Sequence, residues 1–145
     1  AYANLKQEVP GWLRETPPGP TTVVVPEYDG GNPQHTAARR FLHQVLRPLI
    51  ALALVARIEG DAEAEAGARA RLVAATTLTL TGPDAGTLIA DILTVFGLQG
   101  ADLLRALPSW QPEDDARVAA WIERDLMPVA ERGHRNTWMS SRWRA

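Results

Sequence analysis

The sequence contains no cysteine, and it has no long apolar run. Without cysteine, the chain cannot build disulfide scaffolds, thiolate zinc sites or iron–sulfur clusters, and it has no cysteine nucleophile. The longest apolar run, residues 49–56, is far shorter than the ~20 residues that span a bilayer. The sequence therefore predicts a soluble chain without a membrane partner.

Common catalytic and cofactor motifs are also missing from the sequence. It has no glycine-rich nucleotide loop, no HExxH zinc motif and no GxSxG nucleophile motif. Its three histidines lack metal-ligand spacing, since His35 and His43 are eight positions apart and His134 is distant from both. We therefore predict no metal site and no cofactor.

The composition is that of an ordinary globular domain. The chain has 145 residues, of which 46% are hydrophobic and 22% are charged. A chain near this length buries roughly 70% of its unfolded surface. One hydrophobic core is expected, and disorder is excluded as the main description.

Prolines and glycines are concentrated near the N-terminus. Residues 10–33 contain ten of them, which disfavours continuous helix and interior strand. We therefore predict an irregular N-terminal arm over residues 1–35, with a short extended piece at residues 21–25. Trp12, Val24 and Tyr28 are expected to pack this arm against the rest of the chain.

From Thr36 onward, alanine and leucine recur at helical spacing. About five helices are predicted up to Arg132, with a kink or break at Pro48 and a possible break at Gly97 and Gly100. Residues 76–81 alternate threonine and leucine, so a strand competes with helix there. The short connections favour an all-α fold of antiparallel helical hairpins over residues 36–145.

Charge is distributed unevenly along the chain. Residues 132–145 contain four arginines, one histidine and no acid, whereas residues 1–131 hold eleven basic and seventeen acidic residues, a formal charge of −6. A local excess of positive charge indicates an anionic partner. The alternative is a solvated basic tail.

The basic segment also contains groups that suit an acidic sugar. Arg135 and Arg142 can bind a carboxylate through two hydrogen bonds, and Asn136 can bind a carboxylate or hydroxyl. Trp138 and Trp143 offer faces on which sugar rings stack. The candidate substrate-binding residues are therefore Arg135, Trp138, Arg142 and Trp143. His134 is the nearby side chain suited to accept a proton. The alternative is that Asn136 only caps a helix, Trp138 is core and the arginines are surface residues.

Several stretches of this sequence follow one another in the same order as the corresponding motifs of one known family. They are residues 51–61 with the alanine-rich stretch that follows, residues 99–105, Trp110 with Asp114, residues 121–126 and residues 135–138. In this order they resemble the N-terminal part of the alginate-lyase-like polysaccharide lyases. The resemblance covers residues 36–145 and implies part of an (α/α) toroid, incomplete at its C-terminal end.

The resemblance also implies a chemistry, which is β-elimination of an acidic uronate polysaccharide such as alginate. In that family an Asn-Asn pair near a Trp or His neutralises the uronate carboxylate, so that C5 can lose its proton. Asn136 matches one member of the pair and Trp138 the nearby aromatic, while Arg135 stands where the other Asn is expected. The family's His and Tyr acid/base residues belong to helices further along the chain.

Two functions of different classes follow from the sequence. The first is a polysaccharide-lyase-like domain that binds an acidic polysaccharide and, in its complete form, cleaves it, with Asn136 and His134 as candidate catalytic residues. The second is a non-catalytic helical module that docks a glycan or protein partner through its basic, aromatic C-terminus. Self-association or a missing C-terminal half is expected if the chain is part of a toroid, and a lyase would be secreted or periplasmic. Nucleic-acid binding is disfavoured because residues 1–131 are acidic and no binding motif is present.

Overall fold

The computed structural model describes residues 2–27, 31–129 and 131, without the side chains of residues 87–91. Six α-helical segments and two short strands occur in this part of the chain. The elements are α1 (Tyr2–Arg14), β1 (Thr21–Val24), α2 (Pro33–Glu59), α3 (Ala62–Ala75), β2 (Leu78–Thr81), α4 (Ala85–Leu88), α5 (Gln99–Arg105) and α6 (Pro112–Trp121). Ile89–Leu98 joins α4 to α5 as wider π-helical turns, and Ile122–Leu126 extends α6 in the same way. Two of the segments, α4 and α5, are thus joined into one helix, which makes five continuous helices among the described residues. The predicted all-α character is therefore confirmed.

Helix α2 is delimited by its own sequence at both ends. The Gln34 amide donates a hydrogen bond to the Asn32 side chain at 2.9 Å, and Pro33 occupies the first turn. Gly60 ends the helix in the left-handed region, with φ of +67°. Asparagine, proline and glycine are the residue types favoured at these three positions.

Helix α2 is continuous through Pro48, so the predicted break does not occur there. Leu46 and Leu49 lie on either side of this proline and are fully buried. Burying two such side chains stabilises the fold by about 1.5–3 kcal/mol each, which offsets the cost of about 3 kcal/mol for a proline inside a helix.

Helix α2 is also the most apolar element. It alone, within the described part of the chain, is long and apolar enough to cross a membrane by length and composition. In the fold, 56% of its most apolar window is buried against other elements, and the core helix of a folded domain has the same composition. We therefore treat α2 as the central core helix.

Two residues separate the end of α2 from the start of α3, and the two helices pack against each other. The Asp61 side chain caps α3 by accepting hydrogen bonds from the amides of Glu63 and Ala64, both at 2.9 Å. Gly67 allows close packing, since a Cβ there would lie 2.7 Å from Leu13 of α1 and 3.3 Å from Leu52 of α2.

The strand alternative prevails at the end of α3. β2 pairs in parallel with β1, with Thr21 opposite Leu78 and Val24 opposite Thr81. Leucines of β2 are buried and its threonines are exposed, as the alternating sequence requires. Next to this sheet Gly82 has φ of +104°, and a Cβ there would lie 2.3 Å from the Val25 carbonyl oxygen.

The prediction of a break at Gly97 and Gly100 is wrong, because the helix continues through both residues. Each glycine lies in a close packing contact. A Cβ on Gly97 would be 3.0 Å from the Trp121 ring, and one on Gly100 would be 2.8 Å from Leu49 Cγ. These glycines allow the α4–α5 helix to approach α6 and α2.

The prediction of an irregular arm over residues 1–35 is wrong for α1, which is helical through Pro10. One face of α1, formed by Leu5, Val9 and Leu13, packs into the core, so tertiary contacts stabilise it despite the proline. The expected contribution of Val24 is also wrong, since its side chain is 63% exposed. Trp12 does pack against the core, while Tyr28 lies outside the described residues.

We expect Gly100→Ala to lower the free energy of unfolding by about 1–3 kcal/mol, because the added methyl group would overlap Leu49. Gly11→Ala is the matched control. Gly11 also lies inside a helix but has no atom within 4 Å of an added Cβ, so this change should stabilise by about 0.4–1 kcal/mol. Urea unfolding followed by circular dichroism measures both. Equal stability of the two variants would contradict the close contact between α2 and α5.

Candidate functional site

The six residues that the sequence analysis selects all lie outside the described residues. They are His134, Arg135, Asn136, Trp138, Arg142 and Trp143. Their roles therefore stay predictions, and the described residues supply the remaining candidates.

One groove lies where α1 crosses the junction of α2 and α3, and we call it the α1 groove. Its volume is about 460 Å³. Its apolar lining comes from Val9, Leu13 and Val55, with Pro10 beside them. Its charged lining comes from Lys6, Arg14, Glu59, Asp61 and Glu63. A groove of this mixed character can bind an amphipathic ligand.

Hydrogen bonds hold Glu59 at one end of the α1 groove. Its Oε1 accepts a hydrogen bond from the Tyr2 hydroxyl at 2.8 Å and lies 2.9 Å from Lys6 Nζ. These bonds, from Lys6 first and then Tyr2, lower the pKa of Glu59. Partial burial and the same carboxylate raise the pKa of Tyr2. Glu59 therefore stays ionised across the neutral range and fixes the first turns of α1 against the end of α2.

A buried Arg71 holds the other end of α1. Its side chain is 3% exposed, and Nη2 donates a hydrogen bond to the Trp12 carbonyl oxygen at 2.7 Å. Burial lowers the pKa of Arg71, while Glu15, at 3.5 Å, acts in the opposite direction. Nothing in the alanine-rich sequence of α3 distinguishes the buried Arg71 from an exposed arginine, so its contact with α1 could not be predicted from the sequence.

A second pair of titratable residues lies at the start of α2. His35 Nε2 is 2.6 Å from Asp84 Oδ2, and the His35 side chain is 8% exposed. A carboxylate in this position orients the imidazole and fixes its tautomer. Because His35 lies within the fold, we interpret the pair as a tie between α2 and the turn that follows β2. No group of three metal-ligating side chains occurs in residues 2–27 and 31–129.

Two residues that carry the family resemblance have structural roles here. Asp114 accepts a hydrogen bond from the Gln111 amide at 2.9 Å and lies 2.8 Å from Arg69 of α3. Trp110 packs against the core, with Arg105 5.7 Å from its ring centroid. Asp114 thereby joins α3 to the start of α6, and Trp110 lies beside α5.

No protein-family model, curated protein or solved structure matches the chain.

We expect Glu59→Gln to destabilise the folded chain near neutral pH. Because the folded-state pKa of Glu59 lies below its ordinary value of 4.5, its contribution is present above that value and is lost as the pH falls through the folded-state pKa. The stability difference between wild type and variant should therefore narrow in acid, as measured by urea unfolding over a series of pH values.

Lys6→Met supplies the companion variant for this experiment. With Lys6 removed, Glu59→Gln should cost less stability, because the hydrogen bond that lowers the pKa most is already absent. A stability difference that does not change with pH would contradict the role assigned to Glu59.

Proposed function

We propose that the chain is a helical domain that binds an acidic polysaccharide through residues 132–145. One observation carries the proposal. Those fourteen residues combine four arginines, a histidine and two tryptophans with no acid, whereas residues 1–131 carry a formal charge of −6. No other stretch of fourteen residues in the sequence holds four arginines and no acidic residue, and such a local excess of positive charge attracts a polyanion.

The residue types in the segment match the groups of a uronate polymer. A guanidinium binds a carboxylate through paired hydrogen bonds, which Arg135 and Arg142 can supply. Asn136 can bond a carboxylate or a hydroxyl, and the rings of Trp138 and Trp143 can stack on sugar rings. An acidic polysaccharide presents all of these groups in each repeat.

The packing of α6 and its extension against the core supports a binding role for the residues that follow. Trp121 is fully buried, and Leu126 and Val129 are 5% and 7% exposed. The basic segment starts three positions after Val129, so a ligand bound there would lie next to a helix that is packed in the core.

The packing of α2 and α3 supports the resemblance to lyases with antiparallel helix pairs. Only Gly60 and Asp61 separate the two helices, and Leu52 of α2 faces Gly67 of α3. Helices packed together after so short a connection form an antiparallel hairpin. We infer that this hairpin is one unit of the toroid that the resemblance implies.

The same residues suit the first step of β-elimination. The C5 proton of a uronate becomes removable when the adjacent carboxylate is neutralised, which Asn136, Arg135 and Arg142 are suited to do. His134 is the candidate base. The C5 proton would pass to His134, the electron pair would form the C4–C5 double bond as the C4–O glycosidic bond breaks, and the leaving oxygen would take a proton from water.

We expect an oligosaccharide of uronates to bind the chain, and we expect added salt to weaken its binding because the contacts are ionic. Arg135→Ala and Asn136→Ala should each weaken binding by about 1–3 kcal/mol. Isothermal titration calorimetry with alginate oligosaccharides measures these changes.

Arg117→Ala is the matched control for this experiment. It also removes one positive charge, but from an exposed position on α6, so it should leave the affinity within about twofold of wild type. Equal affinity for a neutral oligosaccharide, or no loss in the Arg135 and Asn136 variants, would contradict the proposal.

Ultraviolet absorbance separates the lyase from the non-catalytic module. β-Elimination creates an unsaturated uronate that absorbs in the ultraviolet. An absorbance increase that Asn136→Ala and His134→Ala abolish would assign catalysis to this segment, and binding without any increase would assign the docking role.

A further inference from the structure

Helix α1 packs against α2 and α3, and we call the surface that these two helices offer to it the seat of α1. Leu13 fits against Gly67, where a Cβ would lie 2.7 Å from Leu13 Cδ2. Val9 is the buried residue of α1, with 8% of its surface exposed. An amphipathic helix that fills a groove between two other helices is a common mode of recognition.

The polar contacts of α1 lie mostly at the surface. Lys6 pairs with Glu59 at 2.9 Å, and Glu8 pairs with Arg47 at 3.0 Å. Exposed ion pairs of this kind each contribute only about 0.2–1 kcal/mol. The α1 groove of about 460 Å³ also lies between α1 and its seat, so the packing there is incomplete. These exposed contacts add little to the stability of α1, and its stronger polar contact is the buried hydrogen bond that Arg71 donates to the Trp12 carbonyl oxygen.

The connection from α1 to β1 is suited to release the helix. Residues 15–20 include Pro17, Pro18 and Pro20. Within residues 16–20, the only hydrogen bond to described residues is the local one that the Thr21 hydroxyl donates to the Gly19 carbonyl oxygen. Proline-rich chain is extended, at about 3.1 Å per residue, so this linker can reach roughly 20 Å.

We propose that α1 exchanges between two copies of this chain, so that α1 of one copy fills the seat between α2 and α3 of the other. The occupant is indicated by the structure itself, since the seat already fits α1 within one chain. The exchanged dimer reproduces every contact of the closed monomer, and only association and the linker conformation change the free energy. This inference goes beyond the polysaccharide proposal and does not depend on it.

A reversal of charge in two full-length variants tests the exchange. The first carries Lys6→Glu and Glu8→Arg on α1, and the second carries Glu59→Lys and Arg47→Glu on the seat. Each variant alone places like charges together, both within one chain and in its own dimer. When the two are mixed, each α1 meets opposite charges on the other chain's seat.

We expect heterodimers in about tenfold excess over homodimers in native mass spectrometry of the mixture, since two ion pairs are restored at each of two seats. The chain with all four substitutions is the matched control, because its charges pair again within one copy. It should form dimers in the same proportion as the wild type in native mass spectrometry. A mixture that contains only monomers, or dimers in the statistical ratio of 1:2:1, would overturn the proposal.

A second measurement does not depend on these charges. The chain lacks cysteine, so a copy with Leu13→Cys and a copy with Gly67→Cys each carry one thiol. In the exchanged dimer these positions lie in contact, and oxidation of the mixture should link them. Gln7→Cys is the control, because Gln7 lies on the exposed face of α1. Equal linkage from positions 7 and 13, or none from position 13, would overturn the exchange.

Discussion

The burial of α2 is the constraint on which the rest of the fold depends. Leu42, Leu46, Leu49 and Leu52 of this helix are all fully buried, and α3 and the α4–α5 helix pack around them. Fully burying each such side chain contributes about 1.5–3 kcal/mol. The neighbouring helices have small residues where they approach α2, as Gly100 shows, so their spacing is set by this one apolar helix.

Polar contacts fix the outer elements in positions that apolar packing alone would leave loosely defined. Arg71 secures the end of α1 through the Trp12 carbonyl, and Arg69 joins α3 to Asp114 at the start of α6. Charged residues on the alanine-rich helix α3 thus orient both α1 and the start of α6. Because a buried guanidinium without a partner is costly, these contacts favour one arrangement of the helices over others.

Local signals made several elements predictable from sequence. Asp61 caps α3 as expected, and Pro112 begins α6. Helix α1 could not be predicted in the same way, because Pro10 disfavours helix locally and only packing against α2 and α3 compensates. The role of Gly100 could not be predicted either, because the sequence does not distinguish a glycine that packs against another helix from a glycine that ends a helix.

The candidate binding regions also differ in how far the sequence predicts them. Charge and residue type at positions 132–145 indicate an anionic ligand from sequence alone. The α1 groove, by contrast, brings together residues such as Lys6 and Glu59 that are far apart in the chain, and no local pattern relates them. The His35 and Asp84 contact joins positions 49 apart and has the same character. Long-range contacts of this kind arise from the packing of helices and not from spacing within one of them.

The small parallel sheet has a consequence for the order of folding. Thr21 and Leu78 pair across 57 positions of chain, and that interval includes all of α2 and α3. Helices form within microseconds from local contacts, whereas strands so distant must first lose the entropy of a long loop. Once α2 and α3 have packed, the intervening chain is already compact and that loss is small. We therefore expect β1 and β2 to pair late in folding, after the helices that form the core have packed.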